Sequence, residues 1–170
     1  PGTVLSSSSA ASDVYKRQAP KEDASLDNLN LAIASCANWE SGFFSAYGDM
    51  AQRARAGEID HVVFLGDYIY EYPTGEYAGK SGVARMHHPE WEITTLEDYR
   101  QRHGRYRTDL NLQAAHAACP WIVVWDDHET ANNSWLNGAE NHTDGRVEGE
   151  WPERQGAAVQ AYFEWLPVRA

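Results

Sequence analysis

Little in this chain can be cross-linked, and little of it can grip a polyanion. Only two cysteines, Cys36 and Cys119, occur in 170 residues. That is too few for a disulfide framework, so the fold must rest on a core, although one bridge between the two stays open on sequence alone. Basic residues are scarce, 14 Lys and Arg against 25 Asp and Glu for a formal net charge of −11. Such a balance repels a nucleic-acid backbone, and no nucleic-acid partner is expected. No apolar run reaches the length of a membrane span, and no segment joins a basic start, an apolar centre and a small-residue cleavage site. A soluble segment is expected. No methionine opens the chain, and residues 1 to 28, rich in Ser, Ala, Lys and Asp without a period, predict a disordered leader. Within it, Ser9 to Gln18 looks like a translated cloning linker and is set aside from the fold. The hydrophobic fraction of 42% suits one domain over residues 29–170. The chain stops at Arg169 and Ala170, directly after an amphipathic pattern, and a truncated domain is the expectation.

What is present is an alternation of short apolar runs with helical patterns. Leu31 to Ser35 is a first strand ending at Cys36. Phe44, Tyr47, Met50, Ala51 and Ala54 recur three or four apart and predict an amphipathic helix over 42–56, with Gly57 as its stop. A strand follows at about 60–65, making a βαβ unit with parallel strands. The Gly, Tyr and His rich stretch 72–92 is a long loop, and loops of that length usually carry function. Thr95 with Asp98 three residues on forms the signature of a helix start, opening a helix through Leu96, Tyr99, His103 and Tyr106. A shorter helix starts after Asp109 and must stop before Pro120. A strand at 121–125, a polar loop at 130–150 and a helix beginning at Pro152 complete the order. This alternation predicts an α/β fold with helices packed on the faces of a mostly parallel sheet.

The three runs share one property. Each stops at a side chain able to hold a cation: Cys36 after the first, Asp67, Tyr70 and Glu71 after the second, Asp126, Asp127, His128 and Glu129 after the third. Ligands gather at the carboxyl edge of such sheets, so one site is expected there. Gly66 permits a sharp turn that delivers Asp67. Asp67 and Tyr70, three apart on a turn, could reach the same ion, and a phenolate suits a highly charged one such as ferric iron. Cys36 could add a thiolate, because metal binding favours loss of the thiol proton. Tyr68 is expected to point elsewhere. His128 is suited to protonate a leaving group or to bond a phosphoryl oxygen, with Glu129 and Asp126 as its supporting acceptors.

Gly66-Asp67-Tyr68-Ile69-Tyr70 resembles the Gly-Asp-x-x-Tyr element of purple-acid-phosphatase-like metallophosphoesterases. With Ala34-Ser35-Cys36, Glu92 to Arg100, Trp125 to Glu129 and Asn132-Asn133, the stretch from about Leu29 to Arg169 is similar to the PhoD-type alkaline phosphatases. The resemblance implies the N-terminal part of a four-layer αββα catalytic domain. By it, Cys36, Asp67 and Tyr70 ligate Fe3+, Asp67 bridges to Ca2+, Asp127 ligates the Ca2+, and His128 is the catalytic histidine. It implies hydrolysis of phosphate monoesters and often diesters by a metal-bound hydroxide, a small-molecule phosphoester substrate, and a secreted or periplasmic location. It also implies further ligands beyond Ala170, so this segment alone is not expected to complete the site.

Other readings stand beside it. An acidic helix start would explain residues 126–129 without a metal, and Cys119 before Pro120 is best read as a small buried apolar residue. His87, His88 and His103 are expected on loops and surface, and Arg85 and Arg100 in structural pairs. Acids of 140–150 are read as a solvated loop. A non-catalytic calcium-binding module, in which the acidic loop 137–150 and the Asp126-Asp127-His128-Glu129 turn hold calcium for stability, predicts oxygen-only ligation and indifference to loss of Cys36. A zinc-dependent diesterase would use Cys36, Asp67 and His128 but leaves Tyr70 without a purpose.

Overall fold

The computed structural model describes residue 23 and residues 25–168. Most of the expected leader, its linker-like string included, lies outside the described residues, and residues 25–28 carry neither helix nor strand. The elements run β1 (Leu31–Ala34), α1 (Ser45–Arg55), β2 (His61–Phe64), α2 (Leu96–Tyr106), α3 (Leu110–Ala118), β3 (Trp121–Val123) and α4 (Trp151–Trp165). The strands form one parallel sheet in the order β1-β2-β3, with Ile33 beside Val63 and Val63 beside Ile122. The α/β expectation therefore holds for this part of the chain.

Strand alternation decides which residues enter the core. Val62, Phe64, Trp121 and Val123 point to the helix side and are buried, with Ala32 and Ala34 packed against them. Tyr47, Ala51 and Ala54 of α1 meet that side, as do Leu112 and Ala115 of α3 and Ala158, Ala161 and Tyr162 of α4. The opposite face is bare. Ile33 is 69% exposed and Ile122 55% exposed there, so the helices among the described residues pack on the other face. Parallel sheets are ordinarily covered on both sides because their connections place layers there.

Caps at the helix ends follow the sequence closely. Asp98 N–H donates to Thr95 Oγ1 at 3.2 Å while Thr95 N–H donates to Asp98 Oδ2 at 3.1 Å, a reciprocal box at the start of α2. Asp109 accepts from Asn111 N and Leu112 N, both at 2.9 Å, at the start of α3. Helix α2 then governs the long loop 72–92. Its fully buried Arg102 donates to the carbonyls of Tyr70, Tyr72, Pro89 and Trp91, tying both ends of the loop to one side chain.

Several single residues depart from expectation. His87 and His103 are buried; only His88 is on the surface. His103 lies on the inward stripe of α2 with Tyr99 and Tyr106, where helical periodicity outweighs polarity. Arg85 pairs with Asp109 at 2.6 Å, and Arg100 holds Glu164 by two bonds of 2.7 and 2.6 Å, both structural as expected. Tyr68 turns into the core and bonds His116 Nε2 at 2.8 Å. Cys36 is exposed at the sheet edge and Cys119 buried, and they are not joined. No helix among the described residues is long and apolar enough to cross a membrane.

The buried His103 has a measurable consequence. Burial first, then the nearby Arg107 and Arg102 cations, lower its pKa to about 3. The neutral ring is therefore favoured in the folded state, and its contribution to stability is complete above the unfolded value near 6.5 and is lost as pH falls toward 3. His103→Phe should keep the ring packing against Tyr68 and Trp165. Between pH 7 and pH 5 it should lose about 2 kcal/mol less stability than the wild-type chain, measured by urea unfolding at both values. Equal losses would place the acid sensitivity elsewhere.

Candidate metal centre

The sheet ladder does not end with the strands; it runs on into the site. Leu65 N–H donates to Ala34 O at 2.9 Å, Cys36 N–H to Gly66 O at 3.1 Å and Ala37 N–H to Asp67 O at 2.8 Å. Cys36 and Asp67 both sit in the left-handed region, with φ of 59° and 56°. Non-glycine residues rarely adopt it, and such strain persists where the surroundings impose it, often at functional sites. The result is that the two loops turn their side chains toward one another. Cys36 Sγ lies 3.3 Å from Asp67 Oδ2 and Tyr70 Oη 3.2 Å from the same oxygen.

The third loop is bound to the second by a buried carboxylate. Glu129 Oε2 accepts from Asp67 N at 3.1 Å and Asp126 N at 2.8 Å, while Oε1 accepts from Tyr68 N at 2.5 Å. Burial outweighs these three donors and raises the Glu129 pKa to about 7. The clamp fixes the spacing of Asp67 and Asp127. Donor atoms of Asp67, Asp127 and His128 all lie within 4.8 Å of one another. Asp127 belongs to this group, whereas Asp126 is exposed and outside it.

His128 is held from behind by Glu71 rather than by Glu129 or Asp126, a correction to the sequence reading. Its Nδ1 is 2.8 Å from Glu71 Oε2. Glu71 is fully buried, and its Oε1 accepts from Asn132 N at 2.6 Å and Asn141 Nδ2 at 2.9 Å. A carboxylate can only accept, so Nδ1 carries the proton and Nε2 is the atom left for the site. Burial pulls the His128 pKa down, but the bond and charge of Glu71, with Asp67 and Asp127, outweigh it and raise the value. From Asn141 the network continues to Glu92 at 3.3 Å and from Glu92 to Arg154 of α4 at 2.8 Å. Loop acids read as solvated are likewise engaged: Glu140 holds Asn132 and Asn133, and Glu148 accepts from Thr143 N at 2.7 Å.

The donor set fits a highly charged cation. Asp67 Oδ1 is buried and has no hydrogen-bond partner, while thiol and phenol crowd the other oxygen. Burial raises the Asp67 pKa and, with the neighbouring Asp67 charge, drives the Tyr70 phenol well above its ordinary range. Groups disposed in this way become ionised together only when positive charge is brought among them. A calcium module on residues 137–150 has less support, because Asp144 accepts from Trp151 N at 2.8 Å and Glu148 faces Arg154 at 3.6 Å.

Fold and site thus define an α/β protein that gathers carboxylate, phenol, thiol and imidazole side chains at the carboxyl edge of a parallel sheet. A profile of the PhoD-like phosphatase family matches residues 31–170, and the chain belongs to that family. It is similar to alkaline phosphatase D of Bacillus subtilis (strain 168), with 45% identity over 150 residues, covering 88% of this chain and 24% of that protein. A solved structure titled "Structure of PhoD" superposes with a TM-score of 0.76 at 45% identity, over 88% of this chain and 27% of that one. The chain spans about a quarter of the length of either relative.

Should His128 serve ester hydrolysis in the full-length protein, Glu71→Gln should lower kcat about 10- to 100-fold with KM little changed, because the histidine is misoriented rather than removed. Loss of the Glu71 charge should also move the alkaline limb of the rate profile to lower pH. An unchanged limb would show that Glu71 does not act on His128.

Proposed function

We propose that this chain forms part of a phosphoric ester hydrolase that takes phosphate monoesters, and diesters of similar size, as substrates. The observation that carries the reading is Asp67, whose Oδ1 is buried and unpartnered while Cys36 Sγ and Tyr70 Oη meet its Oδ2 and donor atoms of Asp127 and His128 lie within 4.8 Å. Cys36, Asp67 and Tyr70 would hold ferric iron, and Asp67 with Asp127 would hold calcium. When bound, these ions supply positive charge for the phosphoryl oxygens and make water a competent nucleophile.

The chain's own residues do the remainder. Asp67 and Asp127 would hold the cations that attract the phosphoryl group, and the Glu129 clamp keeps their two loops at a fixed spacing. His128, protonated at Nδ1 toward Glu71, presents Nε2 to the ester and delivers a proton from there to the departing alcohol oxygen. The buried Glu71 charge favours the imidazolium form. Bound cations act in the opposite direction on that pKa, so the working value reflects both.

The full-length protein supplied with iron and calcium should hydrolyse phenyl phosphate and lose that activity on chelation. Activity that survives complete removal of metal would exclude the reading.

A further inference from the structure

Beside the candidate centre lies a feature that phosphoryl chemistry does not require. Tyr77 sits in the long loop, yet its ring is stacked with Tyr70 at 5.4 Å between centroids and 22° between planes, and with Tyr72 at 5.1 Å and 23°. It also lies 5.7 Å from the His128 ring. Tyr70 and Tyr72 are buried, whereas Tyr77 is 48% exposed. An aromatic ring of this size left half in water at the mouth of a site invites a contact, because its buried part already fixes it.

The ring is fixed from the backbone as well. Asn38, two residues past Cys36, donates from Nδ2 to Tyr77 O at 2.9 Å. The fully buried Glu40 accepts from Gly75 N at 2.6 Å. The loop has no regular structure here, but Tyr77 is tied to the same segment that carries Cys36. In front of it opens a cleft of about 610 Å³, lined by Asn38, Ser41, Tyr70, Glu76 and Tyr77. In-line displacement sends the alcohol away on the side of the proton donor. Tyr70, Tyr72 and Tyr77 flank the His128 ring at 4.4, 5.6 and 5.7 Å between centroids, and Tyr77 is the one of the three that is half exposed. Glu76 at the rim opposes a leaving group with negative charge of its own.

We propose that Tyr77 and Tyr70 wall a subsite for the alcohol part of the ester, one that favours an uncharged, planar aromatic group. The subsite rests on the hydrolase reading above. It adds a preference among esters that the cation cluster cannot make, since that cluster touches the phosphoryl group common to all of them.

The test compares phenyl phosphate with cyclohexyl phosphate, close in size but not flat, in the metal-loaded full-length protein. Tyr77→Ala should lower kcat/KM for phenyl phosphate about 10-fold and for cyclohexyl phosphate by no more than about twofold. Tyr77→Leu, which keeps bulk without a flat ring, should show the same selectivity, and Tyr77→Phe should match the wild type on both esters. Equal losses on the two esters would overturn the subsite. So would a larger loss on cyclohexyl phosphate, the ester whose poorer leaving group depends more on His128, because Tyr77 would then act through the histidine. A wild-type protein that cleaves neither ester would instead remove the hydrolase reading itself.

Discussion

Asp67→Asn in the full-length protein should lower phosphoester turnover by about 10³-fold or more and reduce the bound metal, while the metal-free chain melts no lower than wild type. The first half follows from charge. Asparagine keeps the shape but loses the anion around which Cys36 and Tyr70 converge. On the proposed function Asp67 serves both ions, and its loss would forfeit several kcal/mol of charge stabilisation in the transition state. The second half follows from burial, which raises the Asp67 pKa above its unfolded value in the absence of metal. A carboxyl whose folded pKa is raised contributes most below its unfolded pKa and loses that contribution as pH rises. At neutral pH the ionised, half-satisfied Asp67 therefore costs stability, and the neutral amide relieves it. Paired thermal melts and steady-state rates check both halves. A variant that unfolds early and loses activity for that reason would contradict the assignment of Asp67 to function.

The second large effect belongs to Gly66. Its φ is +100°, and an added Cβ would stand 2.4 Å from Asp126 N and 2.6 Å from Asp126 Cβ. Backbone cannot yield as a flexible side chain does, so Gly66→Ala must push apart the two loops that Glu129 clamps. Left-handed strain and overpacking together should cost about 3 to 5 kcal/mol, a fall of about 10 °C or more in melting temperature. Gly57 provides the control. It has a φ of +81° with nothing within 4 Å of an added Cβ. Gly57→Ala should therefore show strain alone, about 1 kcal/mol. Similar shifts at the two glycines would mean that the approach of Asp126 to Gly66 matters little.

Local patterns announced much of this protein. Each of the three apolar runs holds a strand and leads within three residues of the strand's end to Cys36, Asp67 or Asp126, and the α2 cap was written in Thr95 and Asp98. Periodicity also placed His103 on an inward stripe, but polarity argued for the surface and was the weaker guide. Partners far apart in sequence were not legible. Glu71 and His128 are separated by 57 residues, and no local rule says that Glu71 rather than the adjacent Glu129 holds the imidazole. Nor does spacing tell that Glu129 will spread its oxygens over three backbone N–H groups. The one-sided sheet was hidden for a similar reason: an apolar strand looks alike whether its second face is covered or bare. Tyr77 lay in a stretch whose composition announced a loop, and only the packed rings reveal its place beside His128.

The most direct test of the account is elemental analysis of the purified full-length protein, with a visible absorption scan of wild type and Tyr70→Phe. Iron, with a broad visible band that disappears in Tyr70→Phe, is the predicted result, because on the proposed reading Tyr70, converging with Cys36 on Asp67, is the phenolate that ligates the ferric ion. Zinc or calcium without iron, or an iron band indifferent to Tyr70, would contradict it.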